Sequence, residues 1–373
     1  MKNINILQFI CPSGFYGAEM WILSLAKYLD SERIKCQLAI THESKGQNIE
    51  LYNRFRSLGL SGHQIRMRGR FDPRGIRQLC QLIKGNEIHI IHTHGYKSDI
   101  FGIIAARLTG SKAVSTPHGF ENAPNPKLQF FIKLGCVALK YFDKITPLSE
   151  GLKSDMERIK INPNKLELIM NGVDLEEVEE EKEKRSDPIY PNEGEKKIGY
   201  IGQIAHRKNV GDLLNAFEML YKEHKNVRLI VIGDGPQRHE LEERSKSLAS
   251  ASRIEFLGYR NDRLRFLKEM DLFSMTSSLE GIPRCMMEAM AMEVPVAAYD
   301  IPGVDKLIIP NQTGLMAPFG QVEALKQCWE RLLFDKPFST KIAQNGRKHV
   351  IENFSAKRMA EEYTRLYQEI VEK

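Results

Sequence analysis

A repeated alternation of short apolar runs with amphipathic runs constrains the fold of this 373-residue chain most. In the first half, five apolar runs have the length and composition of buried strands, and runs with helical periodicity separate them. The expected strands are "INILQFI", "CQLAIT", "IHIIHTH", "KAVSTPH" and "KITPLS", and the expected helices lie near 17–29, 47–58, 73–85, 97–109 and 126–142. This βαβ alternation predicts a parallel sheet with helices on both faces.

The alternation stops once and restarts, which indicates two domains. The acidic stretch "EEVEEEKEKRSDP" at 176–188 reads as a linker or an exposed loop, and the strands expected after it are "KIGYIGQI", "VRLIVIG", "IEFLG", "LFSMTS" and "VPVAAYD". A chain of this length exceeds the size at which one hydrophobic core keeps growing. We predict two doubly wound α/β domains across a cleft, at 1–187 and 188–355, with a C-terminal helix at 356–373 that packs back on the first domain.

Composition favours a cytoplasmic globular protein. Hydrophobic residues make up 42% of the chain and charged residues 27%, as in ordinary soluble domains. No apolar run reaches the roughly 18 residues that indicate a transmembrane helix, and the N-terminal segment lacks the pattern of a signal peptide. The six cysteines are scattered without a CxxC pair, which favours reduced thiols and argues against a structural zinc site.

Positive charge is concentrated in the first half. Residues 54–144 hold 15 Lys and Arg side chains against five Asp and Glu. The stretch 124–144 mixes apolar side chains with lysines (Lys127, Lys133, Lys140 and Lys144), the composition of a helix that could lie in an anionic interface. The excess predicts an anionic partner, for which we expect the cytoplasmic face of a membrane and not nucleic acid. The alternative for the charge excess is a solvated face that favours solubility, and the alternative for 124–144 is an apolar stripe that packs on the sheet of the first domain.

Glycine and histidine motifs follow the expected strands of the first domain, where doubly wound sheets bind ligands. In "PSGFYGAEMW", Gly14 and Gly17 allow a tight turn into a helix whose free N–H groups would suit a phosphate, although the turn could be purely structural. "HTHG" and "TPHG" end two further strands. His118 is the stronger candidate for ligand contact, and His92 is expected to be structural. His92 and His94 lack an acidic or cysteine partner at metal-site spacing.

In the second domain, Arg207 and Lys208 adjoin the expected start of a helix within "GQIAHRKN". Their charge would repel the positive end of the helix dipole unless an anion lay between them. A diphosphate is therefore a suitable ligand, and a solvated basic turn is the alternative. "VIGDGP" at 231–236 does not continue as GxGxxG, so by itself it is weak evidence for a dinucleotide site.

Two acidic residues, Glu280 and Glu288, stand in apolar surroundings within "SLEGIPRCMMEAMA". Charged side chains are seldom fully buried without a partner. Glu280 is expected in a strand-to-helix loop, with Pro283 in the first turn of the helix that carries Glu288. A carboxylate there can accept two hydrogen bonds from a vicinal diol such as a ribose. The alternatives are an exposed loop acid for Glu280 and an ion pair inside the fold for Glu288.

Together and in this order, the motifs resemble one family. The set comprises "YGAE" (16–19), "HG" (118–119), "LSEGLKSD" (148–155), "NGVD" (171–174), the G-x5-K of 202–208, "IGDGP" (232–236), "FLGYRND" (256–262), E-x7-E (280–288) and "TGLMAP" (313–318). It resembles retaining glycosyltransferases of the GT-B fold, in particular glycosyltransferase family 4, over nearly the whole chain. The resemblance implies two Rossmann-like domains, with a nucleotide-diphosphate sugar held mainly by the second and an acceptor by the first.

The resemblance also implies residue roles. His118 would contact the sugar near the reacting carbon, Glu280 would bind the transferred sugar, and Lys208 would hold the diphosphate. The implied donor-binding residues are Gly14, Gly17, Gln203, Arg207, Lys208, Gly233, Gly235, Gly281, Ile282 and Glu288. The expected acceptor-binding residues are Glu19, His94, Arg68, Arg70 and Tyr96. No metal and no cofactor is expected besides the donor substrate.

The implied reaction moves a sugar, with retention of configuration, to a hydroxyl of a glycan or lipid-linked acceptor in cell-surface polysaccharide or glycolipid biosynthesis. The leaving diphosphate would help to deprotonate the acceptor, so the protein would supply positioning and electrostatic stabilisation. A sugar-nucleotide epimerase and a non-catalytic sugar-nucleotide-binding subunit are the alternatives. The chain departs from the family pattern at three positions: Gln203 stands where the family has an arginine, Glu293 where it has a glycine, and Asp305 where it has a glutamate. Arg207 could supply the positive charge that is missing at Gln203.

Overall fold

The structure, a computed structural model, describes residues 3–12, 14, 15, 17–69, 72–118, 126–191 and 194–372. It divides into two compact units. The first unit comprises Met1–Gly172 and Ala356–Lys373, and the second comprises Val173–Ser355. Across these described ranges, no helix is both long and apolar enough to cross a membrane.

The first unit is built on a six-stranded sheet whose neighbouring strands all run parallel, in the order β3-β2-β1-β4-β5-β6. Its strands are β1 (Ile4–Ile10), β2 (Ile34–His42), β3 (Ser61–Arg66), β4 (Ile90–His94), β5 (Lys112–Ser115) and β6 (Lys144–Ile145). The direction of winding reverses between β1 and β4. The carboxyl ends of these two strands are therefore the place where doubly wound sheets bind ligands.

Helices cover both faces of this sheet. They are α1 (Gly17–Tyr28), α2 (Glu50–Ser57), α3 (Pro73–Gly85), α4 (Tyr96–Thr109), α5 (Pro126–Leu139) and α6 (Glu150–Arg158), joined by a C-terminal helix (Ala356–Glu372) that packs against α1 and β1. Alternate residues of β1 point to opposite faces, so Ile6 enters one core with the C-terminal helix while Leu7 enters the other with α3, α4 and α5.

The second unit repeats the design with a parallel sheet in the order β12-β11-β10-β7-β8-β9. Its strands are β7 (Lys196–Ile201), β8 (Val227–Ile232), β9 (Ile254–Gly258), β10 (Leu272–Met275), β11 (Val296–Asp300) and β12 (Leu315–Pro318). Its helices are α7 (Leu175–Glu183), α8 (Val210–Glu223), α9 (Arg238–Lys246), α10 (Arg263–Leu267), α11 (Arg284–Ala291), α12 (Val322–Phe334) and α13 (Lys336–Asn353). The two parallel sheets confirm the predicted doubly wound class.

The acidic stretch differs from its prediction as a linker. Its first part is helix α7, which Asp174 caps by accepting a hydrogen bond from the backbone N–H of Glu177. The helix packs on α10 and α11 and buries Val178. The sequence boundary between the units is therefore at 172–173 and not at 187. Glu176 and Glu177 lie in the first turn, where the helix dipole stabilises acidic residues, so the N-cap, these two acids and the burial of Val178 favour a helix at the start of the segment.

Two strands were not predicted, β3 and β12. Both lie at the edge of their sheets. The sequence of β3, "SGHQIR", has a single fully buried residue, Ile65. An edge strand with one half-solvated face carries little of the apolar periodicity on which strand prediction depends.

Candidate active site

The loop after β10 brings Glu280 to Lys208. The two side chains form an ion pair, with 8% of the Glu280 side chain and 10% of the Lys208 side chain exposed. Arg207 lies at the rim, where its Nη1 is 4.0 Å from a Glu280 oxygen and 42% of its side chain is exposed. The predicted anion-binding cations and the predicted sugar-binding acid thus share one site in the second unit.

Local backbone structure explains how Lys208 is held there. Residues His206–Lys208 form a 3₁₀ turn, and Asn209, in the left-handed conformation with φ of 52°, starts helix α8. Thr276 donates a hydrogen bond to the Lys208 carbonyl, and the Ser278 N–H and hydroxyl both bond the Arg207 carbonyl. The β10 end therefore fixes two cations at a helix N-terminus, where a bound anion would also gain from the helix dipole.

Glu288 is buried on α11 and is paired inside the fold. Arg263 donates to both carboxylate oxygens at 3.0 and 2.6 Å, and Arg284 donates to one of them at 2.7 Å. Burial alone would raise the pKa of Glu288, but the two guanidinium groups outweigh it and lower that pKa to about 2. The geometry is that of the ion pair offered as the alternative above. Because a carboxylate has about four lone-pair sites, three donors leave room for one more hydrogen bond.

Glycines of the second unit allow close backbone approach. Gly233 has φ of 144°, and a Cβ there would lie 1.8 Å from the Gly202 carbonyl oxygen. A Cβ on Gly235 would lie 2.3 Å from the Ile204 oxygen. The "IGDGP" motif therefore holds the loop after β7 in place. Gly303 (φ of 93°) allows the backbone to approach the Glu280 loop closely, because a Cβ at this position would lie 1.7 Å from the Gly281 oxygen.

Other predicted donor-binding residues are placed as follows. Gln203 is exposed, and its carbonyl accepts a hydrogen bond from the Tyr200 hydroxyl at 2.9 Å. Ile282 is buried in the Glu280 loop. Pro283 is the N-cap residue of α11. The prediction that it lies in the first turn of this helix is therefore wrong by one position. In the first unit, Gly17 begins α1, and apart from its chain neighbours and its own helix no described atom lies within 4 Å of the position that a Cβ would take. A ligand could therefore approach the Gly17 backbone closely.

Three histidines cluster at the carboxyl ends of β4 and β5. His94 Nδ1 lies 3.2 Å from His118 Nε2, and His94 Nε2 lies 2.8 Å from Gln8 Oε1. His92 contacts Tyr367 through Nδ1 and Thr116 through Nε2, both at 2.7 Å. Burial lowers the pKa of His118 to about 4 and the pKa values of His92 and His94 well below the usual range. All three are therefore neutral imidazoles at physiological pH.

The environment of the cluster separates the roles of its members. Trp21 packs against all three rings, with centroid distances from 5.2 to 5.8 Å. His92 and His94 are 0% and 3% exposed, with both nitrogens of each engaged. His118 is half-buried and its Nδ1 has no hydrogen-bond partner among the described residues. His94 is therefore buried beneath His118 and is not exposed to solvent. This differs from the expectation that His94 binds the acceptor substrate.

The remaining acceptor predictions fall around this edge of the first unit. Glu19 is buried in the first turn of α1, Tyr96 begins α4, and Arg68 is exposed after β3. Arg70 lies outside the described residues, as does Gly119 of the "HG" motif.

Sequence reasoning missed two polar groups. The first is the arginine pair of Glu288; Arg284 stands four residues before it on α11, an i,i+4 spacing that would have signalled the pair. The second is Asp99, 3% exposed on α4, whose Oδ1 accepts from Thr93 at 2.5 Å and Ser115 at 2.8 Å. Nothing local in the sequence marks Asp99 as buried.

One group of metal-ligand side chains comes close together within the described ranges. Ligand atoms of Glu223, His224 and Glu330 lie within 4.8 Å of one another. The Lys326 ammonium forms ion pairs with both of these carboxylates at 2.8 Å. Because the Lys326 ammonium already pairs with both acids, this group carries no argument for a metal.

Comparison with known proteins agrees with the fold and the motifs. The family model described as "Glycosyltransferase Family 4" matches residues 15–177, and the one described as "Glycosyl transferases group 1" matches residues 180–349. A capsular polysaccharide biosynthesis glycosyltransferase of Staphylococcus aureus, CapM, is 24% identical over 306 residues, covering 79% of this chain and 80% of CapM. An Escherichia coli UDP-Gal:alpha-D-GlcNAc-diphosphoundecaprenol alpha-1,3-galactosyltransferase is 26% identical over 318 residues, covering 80% of each chain.

Solved structures show the same architecture. The crystal structure of Anabaena HepE in complex with UDP-glucose has a TM-score of 0.82 and 19% identity, covering 98% of this chain and 100% of HepE. A glycosyltransferase from Rickettsia africae has a TM-score of 0.78 and 23% identity, covering 100% of both chains. At such identities the structures establish the fold alone, and the two family models span almost the whole chain. The chain belongs to the GT-B glycosyltransferases that resemble family 4.

Proposed function

We propose that the protein is a retaining, metal-independent glycosyltransferase that uses a nucleotide-diphosphate sugar. Its acceptor is a hydroxyl of a glycan or lipid-linked glycan in cell-surface polysaccharide or glycolipid biosynthesis. The observation that carries this proposal is the Lys208–Glu280 pair at the N-terminus of α8. An almost buried cation beside a helix N-terminus suits a diphosphate, and an acid fixed next to it suits a sugar hydroxyl.

In the proposed reaction, the acceptor oxygen attacks the anomeric carbon from the face that the diphosphate leaves. The bond from that carbon to the diphosphate oxygen breaks, and the acceptor proton passes to the departing diphosphate. Negative charge therefore develops on the leaving group, where Lys208, Arg207 and the α8 N–H groups stabilise it. In the structure Glu280 forms an ion pair with Lys208. In the proposed donor complex, the diphosphate pairs with Lys208 instead, and Glu280 accepts a hydrogen bond from a sugar hydroxyl.

Glu288 would make fewer hydrogen bonds to the ribose than an unpaired carboxylate would. Because Arg263 and Arg284 occupy three of its acceptor positions, it would accept one ribose hydroxyl and not two. The ion pair also keeps the carboxylate charged and oriented before the nucleotide arrives. The relative named for UDP-Gal and the HepE complex with UDP-glucose make uridine sugars the first donors to test.

The test is a hydrolysis and transfer assay with UDP-, GDP- and ADP-sugars, each with and without EDTA. We expect slow hydrolysis of one donor class, undiminished by EDTA, with release of a sugar of the donor's anomeric configuration by NMR. Lys208→Ala should abolish the signal. Lys326→Ala, a lysine in ion pairs elsewhere in the second unit, is the matched control and should not. An inverted product, or loss of activity in EDTA, would contradict the retaining or the metal-independent part.

We further propose that the first unit binds an anionic membrane through α4 and α5. Of the 14 large apolar side chains exposed among the described residues, six lie on or just after these helices: Ile104, Leu108, Phe130, Leu134, Val137 and Tyr141. The spacing of the last four places them on one helical face. Arg107 of α4 donates a hydrogen bond to the Tyr141 carbonyl at 2.5 Å. The exposed apolar side chains of α4 therefore lie next to those of α5.

Charge supports a lipid partner for this face. Arg107, Lys133 and Lys140 are exposed beside the apolar side chains, and the sole acid in the sequences of α4 and α5 is the buried Asp99. Each basic residue near an anionic surface adds about 1 kcal/mol. Flotation with phosphatidylglycerol vesicles should show binding that disappears in high salt and in Lys133→Glu/Lys140→Glu, but persists in Lys222→Glu/Lys246→Glu. Absence of binding at low salt would refute the surface.

A further inference from the structure

A chain of hydrogen bonds runs through the interior of the first unit and ends at His118. From one end to the other it joins Thr146, Thr116, His92, Tyr367, Gln8, His94 and His118. Apart from His118, all of these side chains are buried. None of them is an acid or a permanent cation, so each hydrogen bond must use a neutral donor and a neutral acceptor.

Neutral imidazoles make such a chain directional. A neutral histidine has one ring nitrogen that donates and one that accepts. Burial keeps His92 and His94 neutral by lowering their pKa values. If the direction of one bond is known, the tautomer of each ring in the chain follows from it.

Gln8 sets the direction, because its amide nitrogen can only donate a hydrogen bond and its carbonyl oxygen can only accept one. The Tyr367 hydroxyl oxygen lies 2.7 Å from His92 Nδ1 and 3.3 Å from Gln8 Nε2. The Gln8 amide nitrogen is the donor in the second contact, so Tyr367 accepts there and keeps its own proton for His92 Nδ1. The Gln8 carbonyl then faces His94 Nε2 at 2.8 Å. A carbonyl oxygen can only accept, so His94 carries its proton on Nε2 and has a lone pair on Nδ1.

The same logic extends to His118. Since His94 Nδ1 accepts, the His118 nitrogen 3.2 Å away, Nε2, must donate. His118 Nδ1 is left with a lone pair and has no partner in the described part of the chain. We propose that Gln8 and His94 are positioning residues that hold His118 in the Nε2–H tautomer, so that it offers an acceptor to a ligand hydroxyl. The inference rests on the proposed function only for the identity of that ligand, a sugar or acceptor hydroxyl that donates its hydrogen.

The experiment is a long-range ¹H–¹⁵N NMR spectrum of the full chain labelled with ¹⁵N-histidine, in which protonated and unprotonated ring nitrogens resonate far apart. His118 is assigned by comparison with His118→Gln. We expect Nε2 of His118 to be protonated in the wild type. In Gln8→Met, which keeps the side-chain volume but makes no hydrogen bond, His118 should populate both tautomers. Tyr363→Phe, which removes a hydroxyl bonded to Thr116 and Thr146, is the matched control and should leave His118 unchanged.

Activity gives the second readout. With the donor found in the hydrolysis assay, kcat of Gln8→Met should fall about tenfold, the size of one neutral hydrogen bond, while KM for the nucleotide sugar stays within twofold. A wild-type His118 protonated on Nδ1 would overturn the inference even if Gln8→Met did not fold. An unchanged tautomer in folded Gln8→Met would overturn it as well. If no nucleotide sugar reacts, the proposed function fails, whereas the tautomer measurement keeps its meaning.

Discussion

The carboxyl group of Asp99 should make the stability of the first unit fall as pH rises. Burial raises the pKa of Asp99 from 3.8 to about 7, against the opposing effect of hydrogen bonds from Thr93 and Ser115. A group whose pKa is higher in the folded state binds its proton more tightly there. The stabilisation is therefore fully present below about pH 4 and is lost as pH rises through 7.

The size of the effect follows from the two pKa values. About three pKa units at about 1.4 kcal/mol each give a change of about 4 kcal/mol between pH 4 and pH 8. Asp99→Asn retains an oxygen that can accept from Thr93 and Ser115 but cannot ionise. We expect it to match the wild type at pH 4 and to exceed its free energy of unfolding by up to about 4 kcal/mol at pH 8.

The assay must report on the first unit alone, because the two units need not unfold together. Each unit holds one of the two tryptophans, Trp21 and Trp329. Urea unfolding of 5-fluorotryptophan-labelled protein, followed by ¹⁹F NMR of Trp21 from pH 4 to 8, separates them. Asp155→Asn, in an exposed pair with Arg158, is the control. If the free energy of unfolding of Asp99→Asn differed from that of the wild type by the same amount at every pH, the reasoning would be refuted.

Three further predictions concern the second unit. Lys208→Ala should lower kcat/KM about 100-fold or more, because it removes one group that stabilises the leaving anion. Arg207→Ala should also lower kcat/KM. A wild-type rate for Arg207→Ala would show that Arg207 does not compensate for the arginine missing at Gln203. Glu288→Ala should weaken nucleotide-diphosphate binding by about 1–3 kcal/mol in calorimetry, and unchanged affinity in the folded variant would remove the ribose contact. Gly303→Ala should lower both Tm and kcat/KM because its Cβ meets the Gly281 carbonyl, whereas Gly320→Ala, also at positive φ but in open space, should lower Tm slightly and leave kcat/KM unchanged.

The sequence was most informative where structure is local. Strands such as β1 and helices such as α3 follow from periodicity and caps within a dozen residues, and the doubly wound class follows from their alternation. Helix α7 was missed because its many charges resemble a linker, although Asp174 is a good N-cap. Edge strand β3 was missed because it buries so little.

The site was predicted as separate residues and not as a geometry. Glu280 and Lys208 were identified by motif, but their direct ion pair joins positions 72 apart in the chain. Arg263, which binds Glu288 from 25 residues away, has no local signal at all. The same holds for Gln8 behind His94. Contacts between loops of different strands depend on tertiary packing, which periodicity does not report.

The return of the C-terminal helix to the first unit has a consequence for synthesis on the ribosome. Tyr363 and Tyr367 supply the hydroxyl groups that Thr116, His92 and Gln8 require inside that unit. Domains generally fold in the order in which they emerge, but the segment that emerges first here lacks its last 17-residue helix. Buried polar groups of β1 and β4 stay unsatisfied meanwhile. We therefore expect the first unit to complete its fold only after the second unit and the C-terminal helix have been translated.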